Sequence, residues 1–289
     1  MYYNNLGNTG IKVSQIGLGT EYLFHQPKRV VIEVIQEAIE AGINYYDALF
    51  SVKHYLENLG DAFKGYREKI IIAGHMGTKE VDGKARKTRD VKESKDSFIK
   101  LLSTLKIDYV DILIIQFVTS KEYEVIIHPN NLLELALSFK KEGKAKFLGI
   151  STHDIDVAMK AIEAKNFDVL MVPLNLANHN LKGRASLLDK CSKDNIGLIA
   201  IKPFAGGKLL QKNHTVTFAK YQTAGLGFKK KISSDINSIK CLNYVTSLPG
   251  VDTTLMGIKD TNELQENLKY FHASNEDINY ESLIPTFTI

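Results

Sequence analysis

The strongest constraint on this chain is an alternation of two patterns. A short apolar run is followed by a longer stretch with apolar residues at helical spacing, and the pair recurs eight times. The first unit passes from Ile16-Gly17-Leu18-Gly19 into Lys28–Ala41, where Val30, Val31, Val34, Ile35, Ala38 and Ile39 share one helical face and Gly42 closes the helix. Further strands are expected at Tyr45–Asp47, Ile70–Ala73, Tyr109–Ile115, Phe147–Ile150, Val169–Leu174, Gly197–Ile201 and Thr253–Met256. Their helices are expected at His54–Lys64, Val91–Leu105, Asn130–Glu142, Ile155–Lys165, Arg184–Asp194, Ser234–Leu248 and Thr261–Tyr270. Near-continuous apolar strands suit a parallel sheet covered on both faces. Right-handed crossovers then leave two architectures, an open doubly wound sheet or a closed barrel. Eight units, with no glycine-rich dinucleotide fingerprint after the first strand, favour a (β/α)8 TIM barrel. Residues 2–14, turning at Asn8-Thr9-Gly10, predict an N-terminal β-hairpin that plugs one end. A chain of 289 residues that is 44% hydrophobic is long enough for one such barrel, so a single domain over 1–289 is expected. The loosest stretch is 206–233, which holds Gly206-Gly207, Gly225, Gly227 and Lys229-Lys230-Lys231 and reads as a candidate lid.

Composition narrows the partners. A net charge of +4 with interspersed signs is mild, and no basic stripe carries the interleaved aromatics of a nucleic-acid surface. The one short basic run is Lys84–Arg89 (KARKTR), a solvated or substrate-facing loop. Two cysteines, Cys191 and Cys241, exclude a disulfide scaffold and a Cys-rich metal framework. They read as buried thiols of a reducing compartment. No apolar run reaches the ~18 residues of a membrane span. The expectation is a soluble, cytoplasmic protein with a small-molecule substrate and neither nucleic acid nor membrane as partner.

In such barrels chemistry sits where the strands run out at their carboxyl ends. Those positions are Thr20 and Glu21, Asp47, His75, Gln116, Ser151 with Thr152 and His153, Asn175 with Asn178 and His179, Lys202, and Gly257 with Lys259. Asp47 is read either as a turn or capping aspartate or as a carboxylate beside an imidazole, for His75 stands at the end of the next strand. Such a pair moves protons. Gln116 is either a polar plug of the core or a group at the barrel mouth. Lys202 ends an apolar strand, and a buried amine needs an anion or a shifted pKa. Asp47, His75 and His179 make a poor metal set, since the first strand adds no histidine pair, and no metal is expected.

These residues carry a resemblance. The segments LGNTGIKVSQIGLGT (6–20), AGINYYDA (41–48), LGDAFKGYREKIIIAG (59–74), DYVDILIIQ (108–116), FLGIST (147–152), IKPFAGGKLL (201–210) and LPGVDTTLMGIKDTNELQENL (248–268) resemble the aldo/keto reductase superfamily along nearly the whole chain. The resemblance implies carbonyl reduction with a nicotinamide cofactor, NADP(H) or NAD(H), lying extended across the barrel mouth. Of the family's Asp, Tyr, Lys and His tetrad, only the aspartate is kept, as Asp47. The tyrosine falls on Val52, the lysine on His75 and the histidine on Gln116. Tyr55, three residues beyond Val52, is expected on the helix. The pattern is similar to a divergent branch with a glycine–histidine pair after the third strand, some members of which continue into a Cys-rich iron–sulfur segment that Cys191 and Cys241 do not supply. The resemblance assigns cofactor contacts to Gly19, Thr20, Asp47, Ser151, Thr152, Asn175, Lys202, Gly257, Lys259, Glu266 and Asn267. Met171 replaces the expected glutamine and Ile201 the stacking tyrosine. Glu263 stands where binders of a 2′-phosphate often carry arginine, which weakens the case for NADP over NAD.

The leading expectation is therefore an oxidoreductase in which His75, paired to Asp47, and Gln116 do the work of the missing groups. The alternatives are a redox-neutral lyase or epimerase on the same barrel and a binding scaffold without catalysis. Lys84–Arg89 and Lys202 point to an anionic substrate.

Overall fold

The computed structural model describes residues 1–225 and 227–287. Eight parallel strands close into a barrel: β1 (Ile16–Gly19), β2 (Tyr45–Ala48), β3 (Ile71–Met76), β4 (Val110–Ile115), β5 (Ala145–Ser151), β6 (Val169–Pro173), β7 (Gly197–Ile201) and β8 (Thr253–Gly257). Each strand pairs with its neighbours in sequence, and β8 returns to β1 with Gly257 opposite Gly19. Between them run α1 (Lys28–Glu40), α2 (Lys53–Ala62), α3 (Val91–Leu105), α4 (Leu132–Lys141), α5 (Ile155–Ala164), α6 (Arg184–Asp194), α7 (Ser238–Thr246) and α8 (Thr261–Leu268). The closed (β/α)8 barrel is the architecture the spacing predicts.

Two separate cores follow from the two-residue period of a strand. Side chains facing out join the helices in one large apolar layer. Those facing in form a smaller cluster of Tyr45, Ala73, Ile112, Ile114, Val169, Met171, Ile199 and Leu255, closed by Leu6 and Val13 of the N-terminal hairpin. That hairpin pairs Tyr3–Asn5 with Lys12–Ser14. Its Gly7, at φ +49°, lies against β7 so closely that a Cβ would fall 2.2 Å from the Gly197 amide. The Gly7 and Leu198 amides both donate to Asp252 Oδ2, at 3.0 and 2.9 Å, which pins the plug to the barrel floor.

Four expectations need correction. The segment before α4 is not bare loop: Ser120–Ile127 is a helix, started by the reciprocal hydrogen bonds of Thr119 and Glu122. The basic run Lys84–Arg89, read as a loop, begins as a strand: Lys84–Lys87 pairs with Thr78–Val81 in a hairpin that turns at Asp82 and Gly83 with φ of +52° and +69°. The helix expected at Ser234–Leu248 is Ser238–Thr246. The candidate lid also has its own order, with Thr215–Phe218 paired to Phe228–Lys231 and a short helix at Lys220–Thr223 between them. Leu226, within that stretch, lies outside the described residues.

Candidate active site

Strand parity places the chemistry. Tyr45, Ala73 and Ile114 face into the barrel, so Asp47, His75 and Gln116, each two residues further on, face the same way one layer nearer the mouth. His75 Nε2 and Asp47 Oδ1 are 2.6 Å apart, and the two residues are 0% and 5% exposed. The other ring nitrogen, His75 Nδ1, is buried with no hydrogen-bond partner, as is Gln116 Oε1. A buried polar atom without a partner is costly, and such atoms in a native fold call for an explanation.

Gln116 is held by its backbone. Its amide donates to the Met76 carbonyl at 2.9 Å, continuing the β3–β4 ladder. Arg89 Nη2 donates to the Gln116 and Phe117 carbonyls at 2.9 and 3.0 Å, while Arg89 Nε faces Glu122 at 3.2 Å. Ser151 Oγ accepts from the Phe117 amide at 2.8 Å. The Gln116–Phe117 turn, with Phe117 at φ +53°, is thus clamped on both sides. The guanidinium reaches it by passing over Gly77, whose φ is +108°. Lys87 is likewise spent on Glu122, at 2.7 Å, so half of the basic run Lys84–Arg89 is bound within the protein.

The displaced tyrosine does not reach the mouth. Tyr55 lies on α2, 1% exposed, packed against Phe24 and Phe50. Its hydroxyl is hydrogen-bonded to Thr20 Oγ1 and accepts from the Leu49 amide at 3.2 Å. Thr20 Oγ1 in turn meets the Asp47 carbonyl at 2.6 Å. Burial pushes the Tyr55 phenol well above its usual range. Val52, at the position the resemblance gives to tyrosine, is fully buried.

On the far rim Lys202 follows β7 at φ +57° and donates to the Tyr221 carbonyl at 3.1 Å, its ammonium 5.1 Å from the centre of the Tyr221 ring. Loss of solvent lowers the Lys202 pKa, partly offset by Glu21. Desolvation raises Glu21 although its side chain reaches water; Lys202 opposes that rise and Asp47 adds to it. Half-buried His153 stacks edge-on against Phe117 and is pulled down to about 3, first by desolvation and then by Lys202. His179 turns away to the Tyr244 hydroxyl, 2.7 Å from its Nδ1. Among the described residues no three His, Cys, Asp or Glu side chains stand together as a metal site, and no helix is long and apolar enough to cross a membrane.

Of the remaining expected contacts, Gly19, Thr152, Asn175, Gly257 and Lys259 stand where the strands run out at the mouth, whereas Glu266 and Asn267 lie near the far end of α8, beside Gln265, whose amide donates to Glu37 of α1; several of these side chains are engaged internally. Thr152 Oγ1 donates to the Val118 carbonyl at 2.7 Å. Asn175 donates to the Lys202 carbonyl at 3.1 Å and accepts from the Asn178 amide at 3.2 Å. Lys259 is paired with Glu263, 3.0 Å from Nζ to Oε1, and its amide donates to Glu263 Oε2, also at 3.0 Å. Glu266 pairs with Lys269, and the buried Asn267 amide lies 3.5 Å from Met256 Sδ. Gly19 has room beside it, whereas a Cβ on Gly257 would fall 2.6 Å from the Tyr22 ring.

A family model described as the aldo/keto reductase family matches residues 15–282. The chain belongs to the aldo/keto reductase family. It is 25% identical to YqkF, an uncharacterized oxidoreductase of Bacillus subtilis (strain 168), over 94% of this chain and 92% of the relative. It is 24% identical to L-galactose dehydrogenase of Arabidopsis thaliana, over 91% of this chain and 86% of that one. In fold it matches the aldo-keto reductase AKR11C1 from Bacillus halodurans, solved in its holo form, with a TM-score of 0.80 at 18% identity, covering 100% and 98% of the two chains.

Against the family's cofactor, the donors present fit in part. Ser151 still has its hydroxyl proton after accepting from Phe117, and Lys202 offers an ammonium without a carboxylate within 4.0 Å among the described residues. Met171 lies in the apolar interior and offers no hydrogen bond to a carboxamide. Sequence reasoning missed Arg89 as the clamp of Gln116 and Tyr22 as the cover of Gly257. Nothing in the local pattern marks either, because both contacts join segments far apart in the chain.

Proposed function

We propose that this family member transfers a hydride between a nicotinamide cofactor, NADH or NADPH, and a small carbonyl or hydroxyl substrate, with the His75–Asp47 pair moving the proton. The observation that carries this reading is the 2.6 Å contact of two buried groups on the inward layer at the barrel mouth. A nicotinamide, when bound, supplies the hydride or receives it. Asp47 accepts from His75 Nε2–H, which fixes the tautomer and leaves Nδ1 as the exchanging atom. In the oxidising direction Nδ1 takes the hydroxyl proton; in the reducing direction the imidazolium returns it to the alkoxide oxygen. The Gln116 amide orients the substrate oxygen. Ser151 is assigned to the carboxamide, Lys202, Gly257 and Lys259 to the phosphates, and Glu266 and Asn267 to the adenine end. Gly19, Thr20, Thr152 and Asn175 form the walls of the cofactor channel. A sugar-sized substrate agrees with the name of the plant relative.

The test is a fluorescence titration with NADPH and NADH. Binding of either at micromolar concentration supports the reading, and His75→Ala is then expected to lower turnover by about 10²–10⁴-fold with cofactor affinity kept within about threefold. Turnover retained in His75→Ala would remove His75 as the proton carrier. Neither cofactor binding to a protein shown folded by circular dichroism would favour the second reading, a redox-neutral lyase or epimerase or a binding scaffold. That reading draws on the internal engagement of Asn175 and on the apolar setting of Met171.

A further inference from the structure

Of the five arginines, Arg184 at the start of α6 is the most buried, at 3% exposed. Arg67 pairs with Asp111 at 2.9 Å, Arg29 with Glu33 at 2.7 Å and Arg89 with Glu122 at 3.2 Å, while Arg86 is exposed. Arg184 has no carboxylate within ion-pair distance among the described residues. Its neighbours are neutral. Nη1 donates to the His179 carbonyl at 2.9 Å and to the Tyr244 hydroxyl at 2.7 Å, and that hydroxyl is 2.7 Å from His179 Nδ1. Desolvation, and then the Arg184 charge, lowers the His179 pKa, so this ring is uncharged at pH 7. Burial raises the Tyr244 phenol, and Arg184 offsets that only in part, so it keeps its proton.

The other two nitrogens of Arg184, Nε and Nη2, are buried and have no hydrogen-bond partner. They share one edge of the guanidinium, where two parallel N–H groups match the two oxygens of a carboxylate. Arg89 shows that edge in use: its Nε and Nη2 reach the two oxygens of Glu122 at 3.2 and 3.4 Å. A buried guanidinium without a counter-charge and buried donors without acceptors are each costly. We infer that the Nε–Nη2 edge of Arg184, between α6 and α7, binds a small organic carboxylate. The occupant is small because neither nitrogen touches solvent, and it exchanges slowly because its entry needs a local opening. Once bound, it neutralises Arg184 and fixes the turn 179–183 after β6. None of this depends on hydride transfer at the mouth, so the inference stands apart from the oxidoreductase reading.

The experiment has two parts. Ion chromatography of the unfolded protein counts any carboxylate carried through purification. Thermal unfolding of dialysed protein then compares sodium formate and sodium acetate with sodium chloride at equal ionic strength. One equivalent of carboxylate released per chain is the first expected result. The second is a saturable rise in Tm of about 5 °C at about 100 times the apparent Kd of formate or acetate, with chloride giving none. Arg184→Lys keeps the charge without the paired donors, and Arg184→Met loses both, so each should abolish the advantage of carboxylate over chloride. A carboxylate effect that survives in both variants overturns the inference. So does the absence of released carboxylate together with coincident Tm values in the three salts up to about 50 mM. The 15Nε–H resonance of Arg184 in the wild type reports the contact even where the variants fail to fold. Formate should move it and chloride leave it in place; a resonance that formate leaves unmoved, in protein that released no carboxylate, overturns the inference as well.

Discussion

Gly77→Ala probes the clamp on Gln116. Gly77 has φ +108°, in the region that only glycine enters without strain, and an added Cβ would stand 2.3 Å from Arg89 Nη1. An arginine end normally swings aside at little cost. Here it is held by two carbonyls, at 2.9 and 3.0 Å, and by Glu122 at 3.2 Å. The backbone term is about 1–3 kcal/mol. Displacing a guanidinium from two carbonyls adds about 1.5–3 kcal/mol. The sum is about 2.5–6 kcal/mol, a large part of the stability of a domain. Urea unfolding of wild type, Gly77→Ala, Arg89→Ala and the double variant separates the terms. With Arg89 gone the clash is gone, so Gly77→Ala should then cost only its backbone strain, and the cycle should show about 1.5–3 kcal/mol of coupling. A full cost in the Arg89→Ala background would refute the clash as its cause. A cost below about 1 kcal/mol in wild type would refute the strain as well.

Three further outcomes are expected. Tyr55→Phe should cost about 1–2 kcal/mol of stability, because it leaves buried Thr20 and the Leu49 amide short of a partner, while turnover stays within about twofold; a large fall in turnover would restore Tyr55 as the acid. Glu263→Arg should raise NADPH affinity by about tenfold, since Glu263 occupies both the amide and the ammonium of Lys259, and an unchanged Kd by fluorescence titration would remove that argument. Burial pushes the Asp252 carboxyl up to about 6, against the pull of the Leu198 and Gly7 amides. The folded state therefore holds the proton that the unfolded chain loses near pH 4, and stability is lost as pH rises from about 4 through 6. In urea titrations wild type should lose up to about 2 kcal/mol over that window relative to Asp252→Asn, whose amide oxygen still accepts both bonds; parallel profiles would count against the assignment.

The barrel was legible because its local signals agree. Strands buried on both faces read as apolar runs, helices read by period, and the count of eight leaves little choice of closure. The omissions had signals too. Thr119-Ser120-Lys121-Glu122 is a capping box ahead of an apolar run, and Asp82-Gly83 is a hairpin turn. Both were masked by the expectation that one strand leads to one helix. The Asp47–His75 contact followed from parity and strand adjacency alone. The Arg89 clamp did not, because it depends on how closely two loops approach across one glycine, which no periodicity encodes.

The tetrad positions show how a constellation changes without the fold changing. The tyrosine hydroxyl has not vanished from this corner of the barrel. Three residues along α2 from Val52, it hydrogen-bonds to Thr20 and thereby ties the end of β1 to the Asp47 carbonyl. In that place it is buried, its phenol is raised, and its hydroxyl is shared by two neighbours, which is the setting of a structural pin. What remains facing into the mouth is a carboxylate, an imidazole and an amide on three consecutive strands. Only the imidazole has one ring nitrogen to donate and another to accept, and it alone is hydrogen-bonded to the carboxylate. In the proposed reaction the proton therefore moves from the helix after β2 to β3, and the demand for precise geometry moves with it, onto the turn that Arg89 and Gly77 hold.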